Sequence, residues 1–431
     1  MRRLLYIFLS LIPLFAYTQN GTKESIASLK NLSIQPIIGL QLWSSYSFGT
    51  KIYQKENGRY EAVDNRLNVM LRRGRLGVKG QIDKNISFNV TAALDLVGRD
   101  VLAATEGGSN NGASPKFRLW NAYIQWKVKS GSEVLHIVAG YFPPQIGRES
   151  ISSALRSTSL EKSWSQNYLR RHLTGIGPGR AVGLNLGGLL LNKAGQSGLG
   201  YNFGIFNPVF ESYGGNSIGN KYAPLLVGRI VAYIGEPESK HYSIGHKTNY
   251  LGKRKGLSIG IAGARQGETA LFLKNYALGG DFLFNWNKWN FDGEWTYLIR
   301  RGERLFDDDL LRQFSASTNT GYLRLSYNIS LKNQLILEPM MMWMQFNGGM
   351  TANEQQNAEA VGSSAGKDQS IDIGLNLYVN PHTKLSLHYT LRQGQAGASG
   401  AGASINNYFF QSGVGAIQKG DWLGLGLVMS L

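Results

Sequence analysis

The stretch from Leu67 to Ile82, LNVMLRRGRLGVKGQI, limits what this chain can fold into more than any other. Read with a period of two, Met70, Leu76, Val78 and Ile82 fall on one face with Gly74 and Gly80 between them, while Arg73, Arg75, Lys79 and Gln81 fall on the other. One face suits hydrocarbon and the other suits water and anions. Arg72 interrupts the apolar face near the start of the run, where a long side chain can snorkel to an interface. A single stretch of this kind also fits an exposed strand of a soluble sheet, so its recurrence decides the matter.

It recurs. Ile86, Phe88, Val90, Ala92, Leu94 and Leu96 alternate with Ser87, Asn89, Thr91 and Asp95, and Trp120, Ala122, Ile124, Trp126 and Val128 alternate with Asn121, Tyr123, Gln125 and Lys127. In a later hairpin Leu278, Phe282, Phe284, Trp286, Trp289, Phe291, Trp295, Tyr297 and Ile299 share a face, opposite Asp281, Asn285, Asn290, Asp292 and Glu294. A soluble sheet would rarely expose so wide an aromatic face. Trp286 and Trp289, flanking the Asn287-Lys288 turn, fit an interfacial aromatic girdle. The three carboxylates read as wall charges that face the arginines, because no nucleophile or metal spacing accompanies them.

After the N-terminus, no segment supplies the roughly 18 consecutive apolar residues of a membrane-spanning helix. The pattern predicts an all-β chain, a transmembrane antiparallel β-barrel of about sixteen strands in which long extracellular loops alternate with short periplasmic turns. Residues 235–256 break the rhythm. They form either a long turn or a further hairpin that raises the count to about eighteen. An even number leaves both chain ends on the periplasmic side.

Residues 1–18 read as a secretory signal peptide, with Arg2 and Arg3 ahead of an apolar run and small residues before Gln19. Residues 19–33 follow as a periplasmic lead-in and 34–431 as the barrel, set in the lipid of a Gram-negative outer membrane. Cysteine is absent, so stability must come from hydrogen-bonded closure of the sheet and not from disulfides. The net charge of +17 calls for an anionic partner, and export argues against nucleic acid.

Residues 145–179 carry Arg148, Arg156, Lys162, Arg170 and Arg171 against only Glu149 and Glu161. Long loops in compact folds usually have a function, and this one is expected to fold into the barrel, narrow the channel and present cations. The candidate anion-binding, pore-lining residues are therefore Arg73, Arg75, Lys79, Arg148, Arg156, Lys162, Arg170, Arg171 and Arg229. His241 and His246 lack the spacing of a metal pair, so neither a metal nor another cofactor is expected. His136, His172 and His388 have no nucleophile or carboxylate at a telling spacing, which argues against an enzyme. Asp307, Asp308 and Asp309 read as a solvated loop.

Four stretches resemble the phosphate-selective porin O and P family of Gram-negative outer membranes: LRRGRLGVKGQI (71–82), LWNAYIQW with IVAGYFPPQIG (119–147), LGGDFLF with FDGEW (278–295) and GLNLYVNPHTKLSLHY (374–389). The resemblance implies a 16-stranded trimeric channel whose arginines and lysines line a narrow pore for phosphate or polyphosphate. It also implies that Arg73, Arg75 and Lys79 are the pore-facing basic residues of the second strand. The function expected is an outer-membrane porin through which small hydrophilic solutes, preferably anions, diffuse passively. The alternative is a plugged binding or adhesion barrel whose external loops capture a ligand.

Overall fold

In the computed structural model the described residues are 32–431, apart from 55, 104–114, 176, 193–194, 196, 209–219, 306–309, 399–409 and 412–414. Residues 1–18, read as a signal peptide, nearly all of residues 19–33, read as a lead-in, and the Asp307–Asp309 run lie outside them.

Sixteen long strands make one closed antiparallel sheet among the described residues. They are β1 (Ser33–Phe48), β2 (Arg66–Gln81), β3 (Ile86–Val97), β4 (Arg118–Lys127), β5 (His136–Phe142), β6 (Ala181–Leu191), β7 (Gly198–Asn207) and β8 (Leu225–Gly235). The second half is β9 (Gly256–Gln266), β10 (Lys274–Trp286), β11 (Trp289–Leu305), β12 (Leu311–Tyr327), β13 (Ile336–Asn347), β14 (Lys367–Asn380), β15 (Thr383–Gln395) and β16 (Asp421–Ser430). Each strand pairs with its sequence neighbours, and β1 closes on β16 from Gly39 opposite Ser430 to Phe48 opposite Asp421. Closure leaves no unpaired edge, which a bilayer requires of any spanning sheet.

The alternation read from the sequence sets the two faces. Leu278, Trp286, Trp289, Tyr297, Leu423 and Leu425 are exposed on the outer wall, while Asp281, Asn285, Asn290, Asp292 and Glu294 are buried on the inner side. In lipid, the exposed apolar face meets hydrocarbon and not water, so the exposure is not a cost.

Among the described strands the register shifts near Gln41, Thr91 and Tyr378, and at the first two the sequence reading is corrected. Opposite β1, Gln41 pairs with Arg73 but Leu42 pairs with Leu71, so Arg72 is an extra residue in β2. A bulge of this kind shifts the phase of the strand. Arg72 therefore does not snorkel from the apolar face; it is buried on the inner side with Arg73. Met70 is likewise inside, clustered with Trp43, Leu96, Leu160 and Trp422. Leu96, read as outward, joins this cluster through a left-handed backbone at φ 62°. A second slip occurs between β3 and β4, where Thr91 faces Asn121 and Ala92 faces Leu119, leaving Trp120 as the extra residue.

Residues 236–255 are a long turn and not a hairpin: β8 and β9 pair directly from Gly235 opposite Gly256 onward. The turn folds inward, where Tyr242 donates to Asn202 Oδ1 at 2.6 Å and its ring stacks on His136 at 4.8 Å between centroids.

Candidate functional site

The connection between β5 and β6 occupies the interior of the barrel. It contains a short helix, α1 (Arg148–Ile151), one turn of 3-10 helix and a longer helix, α2 (Ser165–Thr174), which ends at Gly175 in the left-handed conformation that glycine tolerates best. Polar wall residues hold it along its length. Arg148 donates to Asp281 on β10 at 2.9 Å and to Glu238 in the 236–255 turn at 2.8 Å. Glu149 pairs with Arg324 on β12, which also holds Asp292 at 2.7 Å. Glu294 accepts from the Glu149 N–H at 3.0 Å. Tyr168 stacks on Phe346 at 3.8 Å and donates to Asp368 at 3.1 Å. Asp281, Asp292 and Glu294 thus act as fasteners for the inward segment.

The 236–255 turn meets the same segment from the other side. The Ser153 N–H donates to the His246 carbonyl and the His246 N–H to the Ile151 carbonyl, each at 3.4 Å. His246 Nδ1 also lies 3.2 Å from Glu238, which binds Arg148.

Between these two segments and strands β2 to β4 lies a cavity of about 400 Å³. Among the described residues eight cationic side chains contribute to its lining, Arg73, Arg75, Lys79, Arg156, Lys162, Arg170, Arg180 and Lys247, with no aspartate or glutamate. They divide by partner. Arg73 is bonded to Gln41 Oε1 at 2.6 Å and paired with Glu161, which Arg72 also holds. Arg75 is paired with Asp95, which takes a further bond from Arg118 at 2.8 Å. Lys162 donates to the Ser152 carbonyl at 2.8 Å and Arg170 to the Ser150 carbonyl at 2.7 Å. Arg180 donates to Asn121 Oδ1 at 3.1 Å and to the Pro178 carbonyl at 2.6 Å. Among the described residues these three cations have neutral partners and no carboxylate.

Their environment registers that arrangement. Burial, then the charge of Arg170, holds the Lys162 ammonium well below its ordinary range. Burial pushes Arg170 down to about 10, with partial relief from Glu149 and a further push from Arg73. Arg180 is held well below the usual guanidinium range by burial and by Arg170 and Arg75. Burial outweighs the relief from nearby carboxylates, so holding these like charges together is costly, and an anion entering the cavity relieves that cost.

The residues expected from sequence are only partly brought together. Arg73, Arg75, Lys79, Arg156, Lys162 and Arg170 line the cavity. Arg148 and Arg229 lie apart from it and share Asp281 as a buried partner. Arg171 is exposed and is not part of the lining. Sequence reasoning missed Arg180, Lys247 and Trp120. Arg180 and Lys247 were visible only as basic residues beside loops, and nothing in the local pattern marks the bulge that turns Trp120 inward. The histidines have structural partners: His136 is held by Glu133, His172 by the Tyr276 carbonyl, and His388 by Asp372 and Asn376. No group of three or more His, Cys, Asp or Glu suited to a metal ion occurs among the described residues.

The sequence profile described as phosphate-selective porin O and P matches residues 51–204. No curated protein matches the chain. Among solved structures, an anion-selective porin from Comamonas acidovorans is similar, at 11% identity and a TM-score of 0.53, covering 93% of this chain and 100% of that one. The outer-membrane channel DcaP of Acinetobacter baumannii aligns at 13% identity and a TM-score of 0.54, covering 93% and 98%. OprB of Pseudomonas putida aligns at 10% identity and a TM-score of 0.56, covering 95% and 96%. At such identities the likeness is one of fold.

Proposed function

We propose, from the premise that this chain is an outer-membrane porin matching the phosphate-selective porin O and P family through residues 51–204, that it passes small hydrophilic solutes by passive diffusion and prefers anions, phosphate among them. The observation that carries the preference is the cavity lining: among the described residues, eight cationic side chains and no carboxylate side chain. Lys162, Arg170 and Arg180 are the seat of the anion, because their hydrogen-bond partners are neutral where Arg73 and Arg75 are paired with carboxylates. Lys79, Arg156 and Lys247 extend the positive field across the same cavity. Several weak cationic positions replace an ion's hydration in steps and let it leave again. The family resemblance adds a trimeric assembly to this reading. The protein is a channel and not an enzyme.

Reversal potentials across a planar bilayer in a salt gradient, with chloride, phosphate and a neutral sugar compared in single-channel recordings, test the proposal. Anion preference, with phosphate reducing chloride current by occupying the cavity, is the expected result. Cation preference overturns it. One observation favours a plugged binding barrel instead: the β5–β6 segment and the 236–255 turn meet inside the lumen through Ser153, Ile151 and His246. A folded barrel without conductance would select that reading.

A further inference from the structure

Trp120 lies on β4, where strict alternation would aim its ring at lipid. Trp120 is itself the extra residue between Leu119, opposite Ala92, and Asn121, opposite Thr91; it turns inward and lines the cavity. Three guanidiniums gather on its ring: Arg180 at 3.5 Å from the centroid, Arg75 at 4.0 Å and Arg118 at 5.5 Å. They differ in what else holds them. Arg75 and Arg118 share Asp95, whereas the polar partners of Arg180 are the neutral Asn121 amide and the Pro178 carbonyl.

The chemistry of the two kinds of partner differs in one decisive respect. A carboxylate fixes a guanidinium and cancels its charge. An indole attracts the same group through its ring quadrupole and the contact of two flat surfaces, yet contributes no net charge. We propose that Trp120 is a positioning residue that holds the Arg180 guanidinium in the cavity without neutralising it, so that the ring sets the strength of the anion preference. The inference rests on the cavity being an anion path. It explains why the strand bulges at this point: held in strict register the indole would face lipid, and Arg180 would lose the ring it stacks on.

The test uses the full-length channel in planar bilayers under a potassium chloride gradient, with wild type compared with Trp120→Phe, Trp120→Leu and Arg180→Lys. The phenyl ring retains a face, so Trp120→Phe keeps most of the anion-to-cation permeability ratio. Trp120→Leu lowers that ratio about threefold or more, while conductance at high salt, where fixed charge is screened, changes little. Arg180→Lys keeps the charge but loses planar stacking, and it lowers the ratio in the same direction. A folded Trp120→Leu channel with the wild-type ratio overturns the proposal. Should that variant fail to fold, an unchanged ratio in Arg180→Lys overturns it equally. A wild-type channel with no anion preference is a separate outcome, which removes the anion path itself.

Discussion

Glu149 and Arg324 form an ion pair of 3.1 Å in which each side chain is 1% exposed, and the two lie 175 residues apart in sequence. The pair fastens α1 to the far wall of the barrel, with Asp292 on the other side of the same guanidinium at 2.7 Å. Burial on this scale means that the pair is costly to break, whatever its net contribution when whole. Arg324→Met leaves Glu149 and Asp292 buried without their cation, and destabilises the barrel by about 3–5 kcal/mol. Urea unfolding in detergent micelles measures the loss. The double variant Glu149→Gln with Arg324→Met recovers part of it, because one of the stranded charges is then removed.

Glu161 holds both Arg72 and Arg73, and so neutralises a portion of the cavity's charge. Glu161→Gln keeps the shape and removes the negative charge. The anion-to-cation permeability ratio then rises about twofold or more, since a uniformly signed, poorly hydrated cleft concentrates the opposite ion. An unchanged or lower ratio in the bilayer measurement would place Arg73 outside the conduction path.

The pH dependence follows from Lys162, which burial and Arg170 hold well below the ordinary lysine range. Between that lowered value and the unfolded value of about 10.4, the unfolded chain binds a proton that the folded chain does not. Folding stability therefore gains from this residue as pH rises through the window, while the positive charge of the cavity falls. Anion preference is expected to decline as pH rises towards the ordinary lysine range, before surface lysines titrate. Lys162→Met flattens that decline, which reversal potentials recorded at several pH values will show.

The 236–255 turn closes on the inward segment through His246, and through Glu238 bound to Arg148 at 2.8 Å. Replacing 238–253 with a tight turn of the length found at Asn287-Lys288 withdraws the lining supplied by Ser243 to Lys247. Single-channel conductance then rises by about twofold, in proportion to the wider water path of a barrel of this strand number. Conductance equal to wild type would mean that the turn does not border the path.

The alternation of apolar and polar residues determined most of the strands, their outward and inward faces and the aromatic hairpin around Trp286 and Trp289, and left the strand count open only at residues 235–256. These are local properties: a period of two is written in neighbouring residues, and a bilayer admits few ways to satisfy it. Local pattern also found most of the cavity's cations. It did not find the bulges at Arg72 and Trp120, because an extra residue exists only relative to the strand alongside, and that pairing is not in the local sequence. Nor could it tell which cations keep their charge. Arg148, Arg229 and Arg170 look alike as sequence, yet the first two close on Asp281 while Arg170 faces backbone carbonyl and cavity. That difference belongs to the tertiary structure, since the effective charge of a buried guanidinium is fixed by what folding brings within a few ångströms of it.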